Sequence, residues 1–278
     1  MLWKGKVITL EKLIILGTGN AQAFHCFNTC FAIKTEDGVF LTDTGGGNGI
    51  LKQLDSAGIA IQDIHHIFIS HEHTDHILGV VWMIRMTAAA MLSNKYDGDL
   101  HIYCHAKLVD TIDTITRLTI QGKFYKLIGE RIFLVPLESG ESQDIMGYHV
   151  TFFDIGSTKA KQFGYTLTLH SGKKFTCLGD EPYKEEFEKP YAENADWMLC
   201  EAFCRYEDRE IFHPYEKHHA TVKEACELAQ QLQVKNLLLY HTEDKHLSTR
   251  RETYTKEGSQ YYAGNLLVPD DLDVIDLE

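Results

Sequence analysis

Three histidines and one aspartate occur within the six residues from His71 to His76 (His-Glu-His-Thr-Asp-His), directly after the apolar run HHIFIS at 65–70. Imidazole nitrogens and carboxylate oxygens are typical ligands of Zn²⁺ and other divalent cations. In an extended segment His71 and His73 point to the same side, and a turn into a following helix presents Asp75 and His76 to a second centre. The pattern predicts two adjacent metal positions, and the alternative is a polar surface loop.

Two further candidate ligands follow strand-like runs later in the chain. Asp180 comes after KFTCLG, and His241 comes after NLLLY. Loops at one end of a sheet converge, so a carboxylate there can bridge two cations and a late histidine can complete the second position. Alone, each residue is more typical of a turn or a surface. Together with the first cluster they are predicted to be ligands, whereas His65 and His66 are predicted to be structural.

The surrounding pattern predicts the elements that position these residues. An apolar run at 13–21 ends in a glycine-rich turn, and 28–47 reads as a hairpin turned at Asp37-Gly38. Further strands are predicted at 65–70, 100–105, 131–137, 148–156, 164–170, 174–180 and 235–241, so that the middle of the chain is mostly sheet. Helices are predicted at 50–58, at 77–92 and from Thr221, where Thr221 and Glu224 form a capping box.

The amino-acid composition limits the classes of protein to which this chain can belong. The 278 residues are 44% hydrophobic, enough for a sizeable core, and we expect one domain over 1–278. The net charge of −13 argues against a surface that grips nucleic-acid phosphates, so an acidic partner would need a local basic site. The seven cysteines suggest no disulfide framework, and we expect a cytoplasmic protein without a membrane segment.

Seven motifs follow one another in an order known from a large enzyme superfamily: LGTGNA, TDTGGG, HEHTDH, LGDE, CEAF, HHATVKEA and LLLYHTE. The chain resembles metallo-β-lactamase-fold hydrolases over nearly its whole length, and within them it is most similar to ribonuclease Z. The resemblance implies an α/β fold, a four-layer αββα sandwich with a binuclear metal site at one edge of the sheets.

The resemblance also implies a ligand set and a mechanism. His71 and His73 would hold the first ion, Asp180 would bridge the two, and the second ion would have three ligands: Asp75, His76 and His241. One or two Zn²⁺ ions are expected, with Mn²⁺ or iron as alternatives, and a metal-bound hydroxide would be the nucleophile. That chemistry requires no side-chain nucleophile, in keeping with the lack of a Gly-x-Ser-x-Gly motif.

The similarity to ribonuclease Z in particular rests on His219, at the start of a helix in HHATVKEA. By this resemblance His219 is a catalytic residue that protonates the leaving oxygen, and Asp75 is the second catalytic residue. A histidine that titrates near neutrality suits proton donation. Glu72 and Glu201 match acidic positions of the same pattern, and the alternative for His219 is an exposed helix-start residue.

The chain also departs from the ribonuclease Z pattern. A metal-binding histidine is expected about six residues before Gly164-Tyr165, where this chain has Thr158. Asp154 or water would have to replace it, and the first ion is expected to bind more weakly. Lys159 and Lys161 in the same loop are candidates for binding an anionic substrate group.

Only 15 residues separate Gly164 from Asp180, too few for the tRNA-gripping arm of long bacterial ribonuclease Z. A small phosphodiester or ester is therefore the expected substrate, and tRNA is disfavoured without being ruled out. We expect a metal-dependent hydrolase, a phosphodiesterase of ribonuclease Z type. The alternatives are an ester, thioester or lactone hydrolase on the same centre, or an inactive metal-binding relative. The natural substrate and the oligomeric state, a homodimer included, are left open.

Overall fold

The structure is a computed structural model that describes residues 10–278, and its strands form two seven-stranded sheets within that range. The first sheet has the spatial order β14 (Val274–Asp276), β1 (Lys12–Gly17), β2 (Cys30–Thr35), β3 (Gly38–Thr42), β4 (Ile64–Phe68), β5 (Leu100–His105), β6 (Ile132–Leu137). The second has the order β13 (Asn265–Leu267), β12 (Asn236–Tyr240), β11 (Trp197–Glu201), β10 (Lys174–Cys177), β9 (Phe163–Thr168), β8 (Tyr148–Asp154), β7 (Ser142–Ile145).

The helices cover the outer faces of both sheets. They are α1 (Gly49–Ser56), α2 (Thr74–Ile77), α3 (Gly79–Leu92), α4 (Ala106–Thr119), α5 (Gly122–Tyr125), α6 (Glu185–Ala192), α7 (Arg209–Phe212), α8 (Val222–Gln231) and α9 (Leu247–Gly258). Helices α1, α3, α4 and α5 contribute apolar side chains to the outer core of the first sheet, and α6, α8 and α9 to that of the second.

Alternation along the strands creates these layers, because successive side chains of a strand point to opposite faces. In β1, Leu13 lies in the core between the two sheets, whereas Ile14 packs under the helices of the first sheet. In β12, Leu238 faces the core between the sheets and Leu237 packs under the helices of the second. Three apolar cores thus separate four layers, and the predicted αββα sandwich is confirmed.

The topology brings the predicted ligands to one edge. Strands β3 to β6 run parallel to one another, as do β10 to β13. The carboxyl ends of parallel strands lie at the same edge of a sheet. His71 follows β4, Asp180 follows β10 and His241 follows β12, so both sheets supply side chains to that edge.

Most predicted elements are present, including the hairpin of β2 and β3, helices α1 and α3, and α8 with its capping box. The mid-chain prediction of mostly sheet missed α4, whose sequence AKLVDTIDTITRLT is rich in β-branched residues with low helix propensity. Only the buried side chains at 108, 112 and 116, four residues apart, reveal its helical face. Helix α9 was also missed, because it buries Arg250, Tyr254 and Gly258 and not an apolar stripe.

The helical stretch Thr74–Leu92, made up of α2 and α3, has the length and hydropathy of a membrane span. However, 56% of its most apolar window is buried inside the protein, and Val80, Met83 and Ile84 belong to the core under the first sheet. It packs as a core helix.

Candidate metal centre and active site

Two groups of potential ligands meet at the shared edge of the sheets. In each group one ligand atom from every residue lies within 4.8 Å of the others. The first group is His71, His73 and Asp180, and the second is Asp75, His76 and His241. All six residues predicted as ligands are therefore brought together.

The loop between β4 and α2 forms the first group. Nε2 of His71 lies 2.8 Å from Nδ1 of His73, which is the last extended residue before α2. The Nδ1 atom of His71 faces the Ser70 hydroxyl at 2.9 Å, so its Nε2 atom points into the site. The two ring nitrogens are within hydrogen-bond distance of one another, and both are of a type that binds Zn²⁺.

Asp180 lies between the two groups. Its Oδ2 atom is 3.7 Å from Nε2 of His71 and 3.3 Å from Nε2 of both His76 and His241. Oδ2 of Asp75 is likewise 3.3 Å from each of the latter two nitrogens. The other oxygen of Asp180 accepts a hydrogen bond from the buried amide of Gln162. Only Oδ2 is therefore directed at the histidines.

Asp43, directly after β3, orients this centre and was not among the predicted site residues. Its carboxylate accepts hydrogen bonds from the backbone N–H and the hydroxyl of Ser70, both at 2.8 Å, and from Nδ1 of His76 at 2.7 Å. Nε2 of His76 is buried without a hydrogen bond and faces Asp75 and Asp180. The rule that predicted Asp180, a carboxylate at a strand end, applies equally to Asp43 in TDTGGG.

The buried carboxylates are held in their charged form. Burial alone raises the pKa of Asp75 and Asp180, but the neighbouring histidines hold both pKa values well below the usual range. Burial alone lowers the pKa of His76, yet Asp75 and Asp43 raise it well above its usual value. The site therefore stabilises positive charge among its carboxylates, as a cation-binding site must.

His219 lies beside the second group, just before α8. Its ring stacks on Phe203 with centroids 5.1 Å apart and lies 4.9 Å from the ring of His241. Nδ1 of His219 is 3.6 Å from Oε2 of Glu201, at the end of β11, and neither atom has a hydrogen-bond partner. The other oxygen of Glu201 accepts from the backbone N–H of Ala220.

Burial changes the expected protonation of this pair. It lowers the pKa of His219 to about 3, in contrast to the sequence-based expectation of a near-neutral value. Burial also raises the pKa of Glu201 well above its usual range. Burial therefore favours the uncharged form of both side chains.

The loop at Thr158, where a third histidine of the first group is expected, supplies a lysine to the site. Nζ of Lys159 donates to the Lys217 carbonyl at 3.0 Å, pairs with Glu181 at 3.7 Å and borders the cleft. Asp154 pairs with Lys161 at 3.9 Å and is not a member of either ligand group. Of the two substitutes considered for the missing histidine, the structure gives no support to Asp154.

Of the remaining acidic and histidine residues considered, two histidines have structural contacts and one glutamate borders the cleft. His65 faces the Asp99 carbonyl at 3.0 Å and His66 the Tyr103 hydroxyl at 3.2 Å, which agrees with their structural assignment. Glu72 borders the cleft and lies 3.5 Å from the buried Nε2 of His105. The cleft has a volume of about 390 Å³ and reaches both ligand groups and His219.

Several known proteins are similar to this chain in sequence. Ribonuclease Z from Pyrococcus abyssi is 26% identical, with 95% of each chain covered. Ribonuclease Z from Enterococcus faecalis is 25% identical, with 94% of this chain and 96% of the relative covered.

Two solved structures share the fold. The metallo-β-lactamase-fold protein YhfI from Bacillus subtilis superposes with a TM-score of 0.77 at 17% identity, over 96% of this chain and 99% of that one. The short form of human tRNase Z gives a TM-score of 0.72 at 19% identity, with the same two coverages.

A family model described as Anti-Pycsar protein Apyc1 matches residues 11–261. The chain therefore belongs to the Anti-Pycsar protein Apyc1 family and is a ribonuclease Z-like protein of the metallo-β-lactamase fold.

Proposed function

We propose that this protein is a metal-dependent phosphodiesterase that hydrolyses a small phosphodiester. The observation that carries the proposal is the convergence of two three-residue ligand groups and His219 on one cleft. The name of the relatives, Ribonuclease Z, supports phosphodiester hydrolysis as the reaction class.

The residues present fit two divalent cations. His71, His73 and Asp180 would hold the first ion, and Asp75, His76 and His241 would hold the second. Mixed imidazole and carboxylate ligands suit Zn²⁺, and Mn²⁺ or iron remain alternatives. Two such ions lower the pKa of a water molecule and neutralise charge on the attacked phosphoryl group.

The chain itself supplies orientation and proton transfer. Hydrolysis forms a P–O bond from water and breaks the P–O bond to the leaving alcohol, whose oxygen keeps the electron pair. Asp75 borders the cleft and holds His76 and His241 in place. As the P–O bond breaks, His219 gives the leaving oxygen a proton while Glu201, 3.6 Å away, protonates the other ring nitrogen. The attacking water releases a proton to solvent, and Glu201 takes one back from solvent before the next turnover.

Lys159 supplies positive charge beside the first ligand group, which lacks the third histidine expected at position 158. Its ammonium borders the cleft on the side of the loop that carries Thr158 in place of a histidine. An ammonium group there binds the non-bridging oxygens of a phosphodiester, which carry the substrate's negative charge.

The alternative is hydrolysis of an ester, thioester or lactone on the same centre, or metal binding without catalysis. Lys159 favours the phosphodiester, because the scissile group of a phosphodiester is anionic and that of an ester, thioester or lactone is uncharged. One domain, a cytoplasmic location and a homodimer stay expectations. Leu78, just before α3, and Trp82 and Met86 of α3 form an exposed apolar stripe, which is the surface that a second copy would cover.

The experiment offers three substrates to protein purified without added metal and then loaded with Zn²⁺ or Mn²⁺: bis-p-nitrophenyl phosphate, a thioester and a lactone. We expect metal-dependent turnover of the diester alone. His76→Ala should abolish it, whereas His149→Ala, on an exposed side chain of β8, should not. Turnover of an acyl substrate but not of the diester would overturn the proposal, and a fully loaded protein without turnover would favour the inactive relative.

A further inference from the structure

A second cavity adjoins His219, which also lines the metal cleft. Its volume is about 290 Å³, near the lower end of pockets that hold small ligands. His219 lines both spaces, so a group bound beside its imidazole can contact the two of them. We call this space the rear cavity; it is lined by the loop after Asp180, the end of β11, the segment before α8, and α8 itself.

The lining of the rear cavity combines apolar surface with carboxyl groups. Tyr183, Ala225 and Leu228 supply apolar walls. The acidic residues are Glu181, Glu201 and Glu224, and none of the described lining residues is Lys or Arg. Glu181 is paired with Lys159 at 3.7 Å, and Glu201 is protonated in the proposed mechanism, so Glu224 is the carboxylate that an entering anion would meet. Such an anion would also lose its water against the apolar walls.

The three carboxyl groups are not equally available. Glu224 accepts hydrogen bonds from Thr221 and from the Tyr215 hydroxyl at 2.9 Å. Glu181 accepts from Ser157 at 2.7 Å. Glu201 is 1% exposed, and its Oε2 atom has no hydrogen-bond partner.

We propose that the rear cavity binds the leaving alcohol of the phosphodiester and accepts only an uncharged alcohol, preferably one with an N–H or O–H donor. The inference rests on the proposed function, in which His219 protonates the leaving oxygen. A proton donor must lie within hydrogen-bond reach of that oxygen, so the alcohol is placed against His219, where the rear cavity opens.

This assignment narrows the substrate class. In an RNA strand the leaving alcohol carries a further phosphate, and the acidic lining opposes it. A small phosphodiester whose leaving alcohol bears no charge meets no such penalty. The rear cavity therefore discriminates against polynucleotides at the site of cleavage, independently of any arm that would hold tRNA.

The test compares two methyl aryl phosphodiesters on the metal-loaded full chain. One releases 4-hydroxybenzamide, which is uncharged and carries N–H donors, and the other releases 4-hydroxybenzoate, which is anionic. The kcat/KM of each diester is divided by the rate constant for its hydrolysis by hydroxide alone. This ratio corrects for the different intrinsic reactivities of the two leaving groups. We expect a preference of about tenfold or more for the benzamide diester.

Substitutions at Leu228 test whether the preference for the benzamide diester arises in the rear cavity. Leu228→Lys should reduce or reverse it by placing an ammonium in the rear cavity, whereas Leu228→Gln, of similar length but uncharged, should retain it. Equal corrected kcat/KM values for the two diesters, or equal effects of both substitutions, would overturn the proposal even if bis-p-nitrophenyl phosphate is hydrolysed.

Calorimetry with free 4-hydroxybenzamide separates this inference from the reaction class. Binding that Leu228→Lys weakens and Leu228→Gln preserves would support the rear cavity even in a protein that hydrolyses no diester. Absence of binding together with an absent preference would overturn the inference and leave the phosphodiesterase proposal standing.

Discussion

The carboxylate of Asp43 accepts a hydrogen bond from Nδ1 of His76 over 2.7 Å, and this contact decides which nitrogen of His76 faces the site. With Nδ1 engaged, Nε2 is directed at Asp75 and Asp180. A carboxylate behind a ligating imidazole also makes the imidazole a stronger base. Asp43 therefore acts on the second metal position without belonging to the ligand groups.

Asp43→Asn is expected to weaken binding of the ion at the second position by about 10- to 100-fold, because the amide orients His76 less firmly and is uncharged. Competition with a chelator of known affinity measures the change. Asp37→Asn, at the exposed turn between β2 and β3, is the control and should leave the affinity unchanged. Equal affinities for Asp43→Asn and the parent protein would contradict the role of Asp43.

The two metal positions are expected to differ in affinity. The first has two imidazoles and shares Asp180, whereas the second has Asp75, His76 and His241 of its own. Titration with Zn²⁺, followed by native mass spectrometry, should show one tight ion and one weaker ion per chain. His241→Ala should remove the tight binding and His73→Ala the weak binding; the reverse assignment, or no bound ion after supplementation, would show that the ligand set is wrong.

His219→Ala is expected to leave metal content intact and to lower the rate by roughly 10²- to 10⁴-fold on a diester with an alkoxide leaving group. The loss should be small with p-nitrophenolate, which hardly needs a proton. Glu201→Gln should show the same dependence on the leaving group if Glu201 supplies His219 with its proton, as we propose. Asp75→Ala should instead lose metal, and loss of metal in His219→Ala would identify His219 as a ligand or scaffold residue.

Glu188→Gln is expected to stabilise the protein at neutral pH. The side chain of Glu188 in α6 is fully buried, its Oε2 accepts from the Lys184 N–H at 2.6 Å, and Oε1 has no partner. Burial raises its pKa well above the ordinary 4.5, so the folded protein binds a proton that the unfolded chain releases. Its contribution to stability is therefore most favourable below about pH 4.5 and declines as pH rises towards the folded-state pKa.

Thermal melts from pH 4 to pH 8 check this sign. The Tm of Glu188→Gln should exceed that of the parent protein at pH 7 and converge with it at pH 4. Glu186→Gln, an exposed position of the same helix, is the control and should follow the parent at every pH. A variant that melts lower than the parent at pH 7 would mean that Glu188 is charged and paired in the folded state.

The ligand groups could be predicted because four of their residues lie within six positions of the sequence and the other two follow apolar strands. Asp43 could have been predicted by the same rule, but its contact with His76 depends on the pairing of β3 with β4. The role of Gln162 could not be predicted from the sequence, because a lone glutamine belongs to no spacing pattern and its contact with Asp180 forms only in the folded protein. Burial at His219, which shifts its pKa, also arises only when distant segments pack.

Helix α4 and the rear cavity are two features that the spacing of apolar residues in the sequence does not predict. In α4, packing of Leu108 and Ile112 against the first sheet outweighs the weak helix propensity of the β-branched residues. The rear cavity is built from loops and helices between residues 181 and 228, and no local pattern marks the space that they leave.

The ligand groups draw on both sheets, with His71 to His76 after β4 of the first sheet and Asp180 and His241 after strands of the second. An ion held by side chains from both halves binds only when the halves are docked face to face. Its binding free energy therefore becomes free energy of assembly for the sandwich. A chelator should accordingly lower the temperature at which the two sheets separate. The metal centre would then stabilise the contact between the two sheets in addition to its role in hydrolysis.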